Sequence, residues 1–552
     1  MEPTEEQEKV INCDGNIVVL AAPGSGKTFV LSEKIKQTLK KEELLDYNGV
    51  AALSFTRKAS SHLKKRSLAY GLPKKNSFFG TIDSFCLTQI IFPFGYSLLG
   101  YPSKELEILN LGDLDSAQKE EINSYIKSQT SLSKILNADL TIFRKLFQEG
   151  YIAINSVEYL SLRIIYHSKA CRRYLKARFK YIFVDEYQDV DQIFHNLFLK
   201  MLNLGLRGMV VGDIDQSIYG FANKSSKYLL ELTNLDQFNT FRLTTNFRSH
   251  SSIVEYANKL LRENFKINNK EKRVCFFRVE GDERTIAAFI DRYVNALCKK
   301  YEVKNLNDVA ILVKNESTLN LIDATLQTSH RKILTTELEK DINPRSQLYA
   351  LLLRYFYDNS LNFINILEEF IDYESLSILK RKELNELKRT ILKTPKTDPS
   401  LLLDHLQKIS EIVFSNLPEG NSKQILIDTL SKPEELASYR PIDNNEIQLM
   451  TLHKSKGLEF DLVFHLNLDA WILPAKKSTG YINWEQDLNL HYVGITRARK
   501  FCALFSGAHR TSKNGSFITS APSEFLYING LESFRNNFKV RRDLTLLNFK
   551  VP

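Results

Sequence analysis

Cysteine is scarce and scattered in this sequence. Its six residues, Cys13, Cys86, Cys171, Cys275, Cys298 and Cys502, form no CxxC pair. That excludes a zinc-ribbon or disulfide-framework pattern and reads as reduced, mostly buried thiols. Long apolar runs are missing as well: none approaches the roughly 20 residues needed to span a bilayer. The start MEPTEEQEKV is acidic and polar, unlike a secretory signal, so the expectation is a cytoplasmic chain with no membrane partner. There is no acidic excess either. Lysine and arginine number 75 against 65 acids, a net charge of +10, which favours polyanionic partners without requiring one. At 552 residues, 43% hydrophobic and 25% charged, the chain is long enough for several globular domains.

Against that background one stretch stands out, VVLAAPGSGKTFV at residues 18–30. Ile17 to Leu20 read as a short strand of a sheet covered on both faces. The loop Ala21, Ala22, Pro23, Gly24, Ser25, Gly26 then leads into Lys27 and Thr28 at the start of a helix. This fits the Walker A pattern, with Ala21 where the first glycine usually stands. Gly24 and Gly26 let the backbone turn tightly enough to point N–H groups at phosphate oxygens. Lys27 is placed to reach the β- and γ-phosphates and Thr28 to ligate Mg²⁺, with the helix dipole adding to the cradle.

A second strand, YIFVDEYQD at residues 181–189, ends in acids, where open α/β sheets place their sites. Asp185 is the candidate Mg²⁺ holder and Glu186 the candidate general base for an attacking water. An Asp-Glu pair alone is usually a solvated loop. After a strand, in a chain that also carries a phosphate loop, it points to nucleoside triphosphate hydrolysis.

With DEYQD in place, the chain resembles the UvrD/Rep/PcrA family of superfamily 1 DNA helicases. The quoted matches run in order: PTEEQEKVI, LSFTRKAS, FGTIDSFC, VGDIDQSIYGF, NFRSHSSIVEYAN, MTLHKSKGLEFDLVF and YVGITRARK, spanning residues 7 to 500. The resemblance implies ATP as cofactor with Mg²⁺, Gln7 as the adenine reader and Gln216 as a γ-phosphate sensor. It implies that Phe247 stacks on adenine, where the family more often has Tyr, and that Arg248 and Arg497 meet the γ-phosphate. Gly457 and Glu459 fall in the nucleotide set, with Glu459 at the ribose. Phe55, Thr56, Thr81, Tyr219, Phe221, His453 and Lys456 fall on the nucleic-acid contacts. Stacking aromatics suit that role because every base offers a π-face.

The fold class implied is α/β, with two RecA-like P-loop motor domains on parallel sheets, each interrupted by a mainly helical insertion. The expected boundaries are 1–90 and 175–244 for the first motor and 91–174 for its insertion. The second motor is expected at 245–344 and 441–552, with its insertion at 345–440. The activity implied is an ATP-dependent helicase or translocase moving 3′ to 5′ on single-stranded DNA and acting on tailed duplexes. Both insertions are shorter than is typical of the family, Ala222 and Lys314 depart from its pattern, and no nuclease domain follows YVGITRARK. These departures favour a second expectation: a DNA-stimulated ATPase that regulates or loads a separate nuclease subunit, as in Gabija antiviral defence.

Overall fold

The computed structural model describes residues 2–547 apart from 105, 110–113, 128–130, 217–225, 342, 359, 372, 415–419, 478–479 and 512–516. Its first sheet has six parallel strands: β1 (Asn16–Ala21), β2 (Gly49–Ser54), β3 (Phe78–Thr81), β4 (Phe179–Val184), β5 (Arg207–Gly212) and β6 (Phe238–Leu243). Their order is β3-β2-β4-β5-β1-β6. Successive side chains alternate between two apolar layers. Ile17, Val19, Val50, Phe183 and Met209 face one layer, while Val18, Leu20, Leu53, Ile182 and Val210 face the other. Burial on both faces explains why these strands read as unbroken apolar runs.

The second sheet comprises β7 (Val274–Val279), β8 (Val309–Val313), β9 (His330–Lys332), β10 (Ile447–Thr451), β11 (Phe460–His465), β12 (Ala498–Gly507), β13 (Asn536–Val540) and β14 (Leu546–Leu547). The order is β9-β10-β8-β11-β12-β7-β13-β14, parallel except for the final β13–β14 pair. This too is a two-faced core, with Phe277, Ile311 and Phe464 on one side and Phe276, Leu312 and Val463 on the other. The chain is thus a mixed α/β protein of two RecA-like parallel sheets.

Helices lie between the strands. Those that bear on the site are α1 (Glu5–Asn12), α2 (Lys27–Leu39), α3 (Ser251–Leu261) and α4 (Trp484–Thr496). A mainly helical stretch separates β3 from β4, with a small parallel pair of Glu107–Leu109 and Tyr151–Ala153 inside it. Its apolar side chains merge with one face of the first sheet into a single core. The helices between β9 and β10 instead close around a core of their own. The basic run LKRKELNELKRTILK forms the helix Ile378–Lys393, which buries only Leu384, Leu387 and Ile391 along one stripe. Among the described residues no helix is long and apolar enough to cross a membrane.

Candidate nucleotide and nucleic-acid site

The phosphate loop follows β1 directly. Gly24 and Gly26 take left-handed backbone, φ +69° and +87°, and Gly26 opens α2. Space as well as dihedral requires glycine here. A Cβ on Gly24 would lie 2.7 Å from Cβ of Arg248, and one on Gly26 would lie 2.7 Å from Nε2 of Gln7. Four hydrogen bonds pin the loop from outside. Ala22 N–H donates to the Leu243 carbonyl at 3.0 Å and Phe247 N–H to the Gly24 carbonyl at 2.9 Å. Asn246 Nδ2 donates to the Pro23 carbonyl at 2.6 Å, and Gln7 Nε2 to the Ser25 carbonyl at 3.0 Å. Gln7 is buried and also completes a capping box with Thr4 at the start of α1. Its amide therefore braces the loop in this state, while Phe247 beside it is half exposed, at 51%.

Lys27 and Thr28 form the first turn of α2. Lys27 Nζ lies 3.5 Å from Oδ2 of Asp213, the residue just past β5. Asp185, just past β4, accepts the Glu186 N–H at 3.0 Å, and Glu186 itself sits in left-handed backbone, φ +55°. Gln188 is fully buried and joins the two strand ends: its Nε2 donates to Glu186, and its Oε1 accepts Asp213 N–H at 2.9 Å. Burial, reinforced by the charge of Glu186, pushes Asp185 up to about 7 against the pull of Lys27. Burial likewise raises Asp213 to about 6. Burial also opposes ionisation of Glu186, yet Lys27, Lys456, the Gln188 hydrogen bond and Arg497 together hold it below the usual carboxylate range.

Three acids thus converge on one lysine in a buried cleft, and Oδ2 of Asp213 has no hydrogen-bond partner. An acid beside the phosphate loop fits a Mg²⁺ ion, which is usually bound through one or two carboxylates plus phosphate and water. Among the described residues no group of three or more His, Cys, Asp or Glu side chains is arranged to hold a metal ion by itself.

The second motor closes the cleft. Gln216, near the end of β5, is buried, and its Oε1 accepts from Nη2 of Arg497 at 3.3 Å. Arg497 is fully enclosed: its Nε donates to the Val493 carbonyl at 3.1 Å and its Nη1 to the Leu458 carbonyl at 3.0 Å. Burial, then the neighbouring Arg248, lowers it to about 9, so it stays charged at neutral pH. Arg248 pairs with Glu459 at 2.5 Å. Gly457 turns the chain just before them with φ +81°.

Lys456, expected on a nucleic-acid backbone, makes contacts at the cleft. Its Nζ pairs with Asp189 and donates to the Gln216 carbonyl at 2.8 Å, a bridge across the two motors. The reason is topological. β10 ends at Thr451 and the parallel strand β11, which lies beyond β8 in the same sheet, starts at Phe460, so the chain must cross from one sheet edge to the other in eight residues. By Lys456 it has reached the nucleotide side. His453, nearer the strand end, lies close enough to Lys314 and Asp487 to feel their charges, while burial holds it below the ordinary histidine range.

The remaining expected nucleic-acid residues lie along the C-terminal edge of the first sheet, away from the phosphate loop. Phe55 and Thr56 follow β2, and Thr81 ends β3. Phe55 is half-buried against the core. Thr56 and Thr81 cap helices, accepting from the N–H groups of Ala59 and Ser84 at 3.2 Å each. Tyr219 and Phe221 lie outside the described residues. Gln188, Asp189 and Asp213 were not singled out from the sequence. Their signal was present, since all three sit inside DEYQD and VGDIDQ at strand ends.

The comparisons agree with this architecture. An AAA domain family model matches residues 7–222, and a model of the UvrD-like helicase C-terminal domain matches residues 241–342 and 333–506. The Gabija protein GajB of Bacillus cereus (strain VD045) is 27% identical over 89% of this chain and 93% of its own length. The ATP-dependent DNA helicase PcrA of Staphylococcus aureus (strain MRSA252) is 25% identical over 95% and 85%. The ATP-dependent DNA helicase Rep of Buchnera aphidicola subsp. Schizaphis graminum (strain Sg) is 24% identical over 93% and 94%. With a phosphate loop, an acid-ended strand and a second sheet domain supplying arginines in the family's order, the chain belongs to the UvrD/Rep/PcrA-like superfamily 1 helicases, ATP-hydrolysing enzymes that act on DNA.

Proposed function

We propose that this chain moves 3′ to 5′ along single-stranded DNA and opens tailed duplexes, driven by hydrolysis of ATP between its two motors. One observation carries the reading: Lys27, Glu186 and Gln216 of the first motor meet Lys456 and Arg497 of the second in one buried cleft. In the proposed reaction the loop Ala21–Gly26 and Lys27 hold the β- and γ-phosphates, and Phe247 stacks on the adenine. Thr28 and Asp185 hold Mg²⁺, which when bound neutralises phosphate oxygen charge. Glu186 takes the proton of a water whose oxygen bonds to the γ-phosphorus as the bond to the ADP oxygen breaks. Arg248, freed from Glu459, and Arg497 neutralise the charge that develops. Gln216 senses the γ-phosphate, and the segment after it passes the closure on to the DNA.

The similarity to the Gabija protein GajB favours a second reading, a DNA-stimulated ATPase that works with a separate nuclease subunit and unwinds weakly. ATP turnover with and without single-stranded DNA, followed by unwinding of 3′- and 5′-tailed duplexes, tests both. Robust opening of the 3′-tailed duplex alone supports the translocase. DNA-stimulated turnover without unwinding favours the second reading, and turnover indifferent to DNA rejects both.

A further inference from the structure

The loop leaving the second sheet after β11 carries an exposed aromatic cluster that no motif of the nucleotide site uses. Trp471 is 52% and Tyr481 41% exposed, and Lys476 Nζ sits between them, 5.6 Å from the Trp471 ring centre and 4.7 Å from that of Tyr481. Trp484 braces Tyr481 edge-on at 4.7 Å and is itself packed on the core. The loop is built to hold this arrangement. Ala470 N–H donates to the Ala521 carbonyl at 2.8 Å, Ile482 N–H to the Ala475 carbonyl at 3.0 Å, and Ala475 N–H to Asp487 Oδ2 at 2.6 Å. Trp471 also takes left-handed backbone, φ +74°, which is a genuine outlier for a bulky residue. Strain of that kind persists only where the surroundings impose it, and it clusters at functional sites.

Placement decides what the cluster serves. Asp487, which anchors Ala475, also pairs with Lys314 at the end of β8, and the same two charges act on His453 just past β10. The ends of β8, β10 and β11 lie on one edge of a parallel sheet, so the aromatic loop continues the edge that carries His453. Glu524 tempers the lysine, at 4.0 Å from it, which suits a site that holds its ligand by stacking more than by charge.

We infer that Trp471, with Tyr481 and Lys476, is a base-stacking site for single-stranded DNA on the second motor. The inference rests on the proposed DNA reading. A flat π-face flanked by one cation accepts any base, and the loop continues the sheet edge that carries His453, an expected nucleic-acid contact.

The chain holds two tryptophans, Trp471 and Trp484, so Trp484→Phe leaves Trp471 as the sole fluorescent reporter. Oligothymidylate titrated into that variant is expected to quench Trp471 emission. In otherwise native protein, Trp471→Ala is expected to weaken oligothymidylate binding by about 5- to 100-fold, the size of one lost stack, with the melting temperature held. Trp471→Phe should recover most of the affinity. Emission that oligothymidylate leaves unmoved, or a Trp471→Ala affinity equal to wild type, overturns the site while leaving the helicase reading intact. Emission that moves only on adding a protein overturns it in favour of a protein surface. Failure of the wild-type chain to bind oligothymidylate overturns the DNA reading and this site together.

Discussion

The base proposed for the reaction, Glu186, is kept ionised against burial by Lys27, Lys456, the Gln188 hydrogen bond and Arg497. Its neighbour Asp185 carries the opposite bias, pushed up to about 7 by burial and by the charge of Glu186. Two adjacent carboxylates are thereby biased in opposite directions, by environment and not by residue type. Glu186→Gln is expected to retain ATP while turnover falls by at least about 100-fold, the scale of a lost general base. Lys27→Ala, which removes a phosphate contact, should lose the binding itself. Equilibrium binding beside single-turnover hydrolysis separates these outcomes, and near-normal turnover by Glu186→Gln removes it from the role of base. The same bias has a pH signature. Asp185 and Asp213 hold protons in the folded state that the unfolded chain has released, so their contribution is fully present below about pH 4. It is lost as pH rises through about 6 and 7. The melting temperature of nucleotide-free protein is expected to fall over that window, and Asp185→Asn to lessen the slope. An unchanged slope in that variant refutes the assignment.

The two helical insertions differ in how they are held. Between β3 and β4, side chains such as Ile90, Phe147, Leu160 and Ile164 share a core with Ala51, Leu53, Ile182 and Val184 of the sheet. Between β9 and β10, Leu338, Leu352, Phe356, Leu387, Ile409 and Leu426 pack on one another, and Tyr439 OH closes the unit on Thr336 at 2.6 Å. A fragment of residues 336–440 is therefore expected to melt cooperatively on its own, whereas residues 82–178 alone should not, because excision exposes the face that the sheet covers. Circular dichroism melts of both fragments check this, and a cooperative transition in the second would contradict the shared core. Legibility in the sequence followed the same physics of burial. Strands such as YIFV and AILV announce themselves because both faces are buried. The His330–Lys332 strand sits at a sheet edge with half-buried polar side chains, and Asn536–Val540 is mostly exposed, so neither carries an apolar signal. Val274–Val279, mostly buried, is apolar enough to read as a strand from the sequence. At the site, position along a motif is readable but the path of the crossover is not, so the contacts of Lys456 across the cleft carry no signal in the sequence.

Across the whole molecule, the polar bridges that join the motors among the described residues include Lys456 to Asp189 and the Gln216 carbonyl, Arg497 to Gln216, and Arg262 to Asp215 at 2.5 Å. Three of these four contacts land on Asp215 or Gln216, the residue proposed to sense the γ-phosphate. A phosphate entering the cleft must therefore compete for the groups that join the motors, and its loss on hydrolysis returns them. Arg497 is the sharpest case. It contributes from the second motor, it is fully buried, and its guanidinium already faces the side chain proposed to read the γ-phosphate. A charge that meets phosphate only as the cleft tightens stabilises the transition state more than the bound ground state. Arg497→Ala is thus expected to lower kcat by about 10³-fold or more, equivalent to about 4 kcal/mol, with ATP affinity within several-fold of wild type. Because the side chain also donates to the Leu458 carbonyl, while the Val493 carbonyl keeps a second donor in the Thr496 hydroxyl, its removal leaves the Leu458 acceptor unpaired at a cost of about 1–3 kcal/mol. The melting temperature must accordingly be read beside the rates. Turnover normalised to folded protein that stays near wild type, with ATP affinity lost instead, would show that Arg497 serves ground-state binding and that the motors do not close on it during hydrolysis. Arg497→Lys sharpens the test, since it keeps the charge but not the planar fork. It should restore stability better than turnover if the geometry of the guanidinium is what the reaction uses.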